Sequence, residues 1–140
     1  MKGDNISKSV FGRVIIIDDD PINNFILFQN IKFISPALPV FEFISPSEAL
    51  RYIASAILSD CSLVLLDINM PQLSGWEFLH ELTALTIPLK NKFEMYMLSS
   101  STDISDQKMA HEHVFVKDYL IKPITIEKLR KILLKRGKNL

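Results

Sequence analysis

The sequence predicts an α/β protein: a doubly wound, mainly parallel sheet of five strands with helices on both faces. Three observations carry that expectation. Five short apolar runs recur along the 140 residues, each followed by a segment of helical spacing. Two of the runs, near residues 15 and 65, are uninterrupted, as strands buried on both faces are. No internal repeat or low-complexity linker breaks the alternation. Strands joined through helices lie parallel, with right-handed crossovers.

The elements follow in order. Arg13-Val-Ile-Ile-Ile17 reads as a buried first strand. Asp20 can cap the next helix, with Pro21 in its first turn. That helix carries two apolar stripes, Ile22, Phe25, Ile26 and Phe33 on one and Leu27, Ile31 and Ile34 on the other. One stripe suffices to pack on a sheet, so the surplus is either an exposed docking surface or a wider buried face. Pro39 to Phe43 is a second strand whose leading proline suggests a sheet edge. Ser45-Pro-Ser-Glu48 has capping-box spacing and opens a helix through about Leu58. Leu63 to Leu66 is a central third strand, and Trp76, Leu79 and Leu82 recur at helical spacing after Pro71 and Gly75. Phe93 to Leu98 is the fourth strand, followed by the polar loop Ser99 to Asp103 and a fourth helix. Val114 to Ile121 holds the fifth strand, and Thr125 caps a last helix bearing Ile126, Leu129, Ile132 and Leu133.

Composition narrows the function. Sixteen basic residues balance sixteen acidic ones, so no global field favours nucleic acid or an anionic membrane. With 48% hydrophobic and 23% charged residues, the chain reads as a soluble globular protein. No apolar run approaches the ~20 residues needed to span a bilayer. Residues 1–12 lack a secretory signal and read as a tail, and Cys61 is the only cysteine, which excludes an internal disulfide. The expectation is a cytoplasmic chain with one domain over residues 13–135, a short tail over 136–140 and no attached output domain. His80, His111 and His113 lack metal-ligand spacing and read as surface residues, and Met70 and Trp76 read as packing.

Chemistry gathers where the strands end. Asp18, Asp19 and Asp20 follow the first strand, Asp67 the third, Ser99 the fourth and Lys122 the fifth. In a parallel sheet those ends share one edge, where α/β proteins place their sites. Crowded carboxylates repel, and a hard divalent cation such as Mg²⁺ relieves that repulsion through an all-oxygen site. Asp67 then presents an oxygen able to attack a phosphoryl group, with Lys122 and the Ser99 hydroxyl placed to neutralise its charge. Taken singly, Asp18 to Asp20 also fits a polar turn with a cap, Ser100 competes with Ser99, and Asp67 could begin a turn.

Four segments together are more specific. Ile17-Asp-Asp-Asp-Pro21, Leu66-Asp-Ile-Asn-Met-Pro71, Leu98-Ser-Ser100 and Tyr119-Leu-Ile-Lys-Pro123 resemble the signature segments of response-regulator receiver domains. The resemblance covers roughly Arg13 to Lys135. It implies a flavodoxin-like fold with strand order 2-1-3-4-5, and Asp67 as phosphoacceptor. It further implies Mg²⁺ held by Asp19, Asp67 and the Asn69 backbone carbonyl, with Asp18 acting through water. Ser99 would be the switch hydroxyl, Lys122 the phosphate-binding lysine and Pro123 the partner in a cis peptide bond. Tyr119 would be a switch aromatic, or else an ordinary packed one. A histidine kinase or His-containing phosphotransfer protein would donate the phosphoryl group, docking along the first helix. A downstream protein would bind the face of the fourth helix, fifth strand and fifth helix, with no nucleic acid or membrane partner.

Two positions depart from the usual pattern. Ser99 stands where threonine is common, which keeps the hydroxyl but loosens its rotamer. His111 to Asp118 lacks the small Gly-Ala pair often found before the fifth strand, which leaves the local loop path open. Two rival functions remain. A phosphorylation-independent interaction module would keep the fold, although such modules usually lose one of the pocket residues. A phosphohydrolase of the haloacid-dehalogenase type carries a second acid two residues after its nucleophile, where this chain has Asn69. A flavin binder would need a Ser/Thr/Gly-rich loop after the first strand, where acids stand here.

Overall fold

The structure, a computed structural model, describes residues 9–55, 61–70, 73–86, 93–100, 104–113 and 116–134. Five strands run through it: β1 (Arg13–Ile17), β2 (Val40–Phe43), β3 (Ser62–Asp67), β4 (Phe93–Ser99) and β5 (Val116–Ile121). They alternate with α1 (Pro21–Ile34), α2 (Pro46–Ser55), α3 (Gly75–Thr86), α4 (Ile104–Glu112) and α5 (Ile126–Leu134). All strand pairs are parallel, in the order β2-β1-β3-β4-β5, so the predicted doubly wound, flavodoxin-like sheet is present. The expected end of the second helix near Leu58, the Pro71 turn, residues 101–103, Val114 and Phe115, and the outer tails lie outside the described residues.

The pleat sends alternate residues to opposite faces and so builds two cores. Ile15, Ile17, Val64, Leu66, Met95 and Met97 face one way, over Ile53 of α2 and Phe78 and Leu82 of α3. Val14, Ile16, Leu63, Leu65 and Leu98 face the other, over Leu27 and Ile31 of α1 and Leu129 and Leu133 of α5. Every residue of β3 is buried, which is why its sequence reads as an unbroken apolar run ending in one acid. β2 lies at the sheet edge, and the Pro39 carbonyl before it accepts the Val14 N–H at 2.9 Å.

Local chemistry explains where the helices begin. Asp20 caps α1 by accepting the Ile22 N–H at 3.0 Å, with Pro21 at the first position. The Ser45 hydroxyl accepts the Glu48 N–H, and Thr125 does the same for Lys128. A capping box that the sequence reading passed over opens α3: the Glu77 N–H donates to the Ser74 hydroxyl, and the Ser74 N–H donates to the Glu77 carboxylate.

One open point of the sequence is resolved. The surplus stripe of α1 is exposed, with Ile22, Phe25, Ile26 and Phe33 at 69%, 57%, 51% and 70%, while Leu27, Ile31 and Ile34 are buried. The wider buried face is therefore wrong. The loop path before β5 runs through residues 114 and 115, which lie outside the described residues, while within the sheet the β4–β5 register shifts between Met95 and Tyr96, whose partners are Val116 and Asp118. Lys117 is the extra residue, and below it pairing continues regularly to Ser99 and Ile121.

Candidate functional site

The parallel sheet carries Asp18, Asp67, Ser99 and Lys122 to one edge. Lys122 stands 104 residues from Asp18 in sequence, yet its Nζ donates to Asp18 Oδ2 at 2.9 Å and lies 3.2 Å from Asp67 Oδ1. Asp18 and Asp67 are buried, whereas Asp19 is exposed at the mouth. One ligand oxygen from each of these three acids falls within 4.8 Å of the others. Three carboxylates and one ammonium leave two negative charges in a small volume. An all-oxygen donor set of that charge fits a hard divalent cation such as Mg²⁺.

Electrostatics at the centre are opposed. Burial, and then the charge of Asp18, push the Asp67 carboxyl up from its ordinary 3.8 to about 6. The Lys122 ammonium and the backbone N–H of Asn69 pull in the other direction and lose. For Lys122, burial favours the neutral amine. The hydrogen bond and charge of Asp18, joined by those of Asp67, outweigh it and hold the ammonium above its ordinary range.

The other expected residues lie close by. Ser99 is fully buried, its carbonyl accepts the Lys122 N–H at 2.8 Å, and it pairs with Ile121 in the β4–β5 ladder. The Asn69 side chain is exposed beyond Asp67. The Lys122–Pro123 peptide is cis. Tyr119 is buried in the same apolar core as Ala110 of α4, and it lines a surface pocket of about 310 Å³ with Ile121, Pro123, Ile124 and Lys128.

Three contributors were not singled out from sequence. Asn23 Nδ2 donates to Asp18 Oδ2 at 2.7 Å. Asn24, fully buried, donates to the Asp18 carbonyl at 2.9 Å and to the Phe43 carbonyl at 3.5 Å, tying the ends of β1 and β2 to α1. Gly75 donates to the Ile68 carbonyl at 2.7 Å, and a Cβ placed there would stand 2.8 Å from the Asp67 carbonyl oxygen and from Ile68 Cα. Any side chain at 75 would push on the backbone that carries Asp67. Helical spacing alone marks these positions as an ordinary polar pair and a helix start.

Sheet order and two-sided helix cover define the class: a flavodoxin-like doubly wound domain with an acidic pocket at its strand ends. The chain belongs to the response regulator receiver domain family, whose sequence model matches residues 14–134. It is similar to a cyclic di-GMP phosphodiesterase response regulator of Xanthomonas campestris, 31% identical over 118 residues. That match covers 84% of this chain and 30% of the relative, so the chain spans under a third of that protein. Among solved structures, a response regulator receiver protein of Dyadobacter fermentans superposes with a TM-score of 0.78 at 26% identity, covering 86% of this chain and 93% of the other. A two-component response regulator of Cytophaga hutchinsonii gives 0.75 at 32% identity, covering 86% and 92%. The family comprises the receiver domains of two-component signalling, phosphoacceptors that are typically not turnover enzymes and that bind Mg²⁺ at an acidic pocket. No described helix is long and apolar enough to cross a membrane.

Proposed function

We propose that this protein accepts a phosphoryl group on Asp67 from a phosphohistidine of a kinase or phosphotransfer protein, and thereby switches a protein-binding surface. The observation that carries this reading is the buried Asp67 carboxylate, held between Lys122 and the acids of β1 at the open end of the sheet. An Asp67 oxygen attacks phosphorus, the P–N bond breaks, and the electron pair leaves on the imidazole nitrogen, which takes up a proton. Lys122 turns from the carboxylates to the incoming phosphoryl oxygens, and the Ser99 hydroxyl donates to another of them. Asp18, Asp19 and Asp67, with the Asn69 carbonyl, would hold Mg²⁺. When bound, it would offset phosphoryl charge during transfer.

The donor would approach across the exposed face of α1, whose first turn leads out of the pocket. For the output, Ser99 is joined to β5 through the Lys122 N–H and its pairing with Ile121. Drawing Ser99 toward phosphate would therefore pull on the strand that carries Tyr119, and Tyr119 turning inward would reshape the α4–β5–α5 face. Exposed Met109 on α4 and exposed Ile121 on β5, the latter lining the pocket at Tyr119, give that face apolar side chains that a protein partner could cover. The two shapes would be pre-existing states whose populations phosphorylation shifts. A cytoplasmic setting agrees with such a donor.

Incubation with acetyl phosphate and MgCl₂, followed by intact-mass measurement, tests the reading. One added phosphoryl group is expected, absent in Asp67→Asn and absent with EDTA. An unmodified wild-type chain would turn the assignment toward a phosphorylation-independent binding module. Steady turnover of a small phosphoester would turn it toward a hydrolase.

A further inference from the structure

We propose that Asn23 is a positioning residue of the acidic pocket: its side-chain amide fixes the Asp18 carboxylate in the orientation that receives a divalent cation. The proposal rests on the reading of that pocket as a Mg²⁺-dependent phosphoacceptor site.

Three donors surround the Asp18 carboxylate. Its Oδ1 accepts the Asp20 N–H at 2.9 Å, and its Oδ2 accepts both Asn23 Nδ2 at 2.7 Å and Lys122 Nζ at 2.9 Å. A carboxylate offers about four acceptor sites, so these three donors define its plane and leave room on Oδ1. Lys122 cannot be the permanent anchor, because the same ammonium also serves Asp67 and must turn toward a phosphoryl group. Without Asn23, a departing Lys122 would leave a buried carboxylate held at one oxygen only, free to swing and poorly solvated.

The amide suits this task by being neutral. It donates a short hydrogen bond without cancelling charge, so the pocket keeps the two net negative charges that match a divalent ion. A lysine or arginine at 23 would hold Asp18 equally well and remove that match. The backbone beneath Asn23 is itself fixed. Asp20 caps the same helical turn, and the adjacent Asn24, fully buried, donates to the Asp18 carbonyl. Two successive amides therefore hold one aspartate, Asn24 by its main chain and Asn23 by its carboxylate. The half-buried position of Asn23 separates the two roles, since it is not part of either apolar core.

The test is calorimetric titration of the full chain with MgCl₂, for wild type, Asn23→Leu, Asn23→Ala and Asn23→Gln, with thermal melts of each in EDTA. Partners of metal ligands usually set affinity on the order of tenfold or more. Asn23→Leu and Asn23→Ala are expected to weaken Mg²⁺ binding by about tenfold while melting in EDTA close to wild type. Asn23→Gln, which keeps the amide on a longer arm, is expected to recover most of the loss. Wild-type affinity in Asn23→Leu and Asn23→Ala would overturn the positioning role. So would an equal loss in Leu and Gln, because the amide would then be irrelevant. A wild-type chain with no heat of binding would overturn the underlying reading of the pocket and this inference with it, an outcome distinct from an effect confined to the Asn23 variants. The alanine variant, well suited to a helix, keeps the test decisive if leucine disturbs folding.

Discussion

Asp67 faces two opposed demands. The proposed role as phosphoacceptor needs an ionised carboxylate, yet burial and the neighbouring Asp18 raise the Asp67 carboxyl to about 6. Between the ordinary 3.8 and that value the folded chain binds more protons than the unfolded one, so stability falls as pH rises through this window. An upward displacement of this size corresponds to about 3 kcal/mol, fully felt above pH 6 and absent below about pH 4. Asp67→Asn in EDTA at pH 7.5 is thus expected to be more stable than wild type by about 1–3 kcal/mol in urea unfolding. Lys122 keeps Asp18 as a partner in that variant, so no cation is orphaned. The difference should close as pH drops from 6 to 4, and a less stable Asp67→Asn at pH 7.5 would mean that pairing with Lys122 outweighs burial. Asp67 was legible in sequence as the lone charge closing an apolar strand, and Lys122 as the lysine that follows Tyr119-Leu-Ile121 and precedes Pro123. Asn23 and Asn24 were not, since an Asn pair behind a helix cap looks the same whether it faces water or grips a carboxylate.

At the scale of the elements, α1 separates packing from surface. Its two stripes were visible in the sequence, but which was surplus depended on how the helix sits on the sheet. That is set by Leu27, Ile31 and Ile34 meeting the core of Val14 and Ile16. The boundaries of β1 and β3 were legible to within a residue, because both strands are buried on both faces and carry no competing pattern. The cap of α3 was less so, because Ser74 and Glu77 flank a glycine needed for another reason, the close approach to Asp67. The α1 assignment predicts unequal costs. Phe25→Ser and Phe33→Ser should change stability by about 0.5 kcal/mol or less, since both rings already face solvent. Ile31→Ala, on the same helix but fully buried, should cost about 2–5 kcal/mol. Urea unfolding of the three variants measures the contrast. A large loss at either phenylalanine would place that ring in a packed interface and contradict its exposure.

For the whole molecule, the pocket exists only when the sheet is assembled. Asp18 and Asp19 come from the end of β1, Asp67 from β3 and Lys122 from β5, and the unfolded chain holds none of these groups together. A cation that binds the assembled pocket therefore stabilises the entire fold, by about 2.7 kcal/mol when its free concentration is 100 times the dissociation constant. For a domain matched over residues 14–134 each kcal/mol raises the melting midpoint by roughly 3–6 °C. MgCl₂ should therefore raise the midpoint by several degrees, and EDTA should reverse it. Screening alone would also relieve repulsion among the three acids, and NaCl at matched ionic strength separates the effects, because a specific site leaves most of the rise unique to Mg²⁺. Asp19→Asn sharpens the test. Asp19 is exposed and contributes no buried packing, so the variant should melt near wild type in EDTA and respond weakly to MgCl₂. A full Mg²⁺ response in Asp19→Asn would show that the stabilising cation binds elsewhere, and that the acids at the sheet edge are not its site.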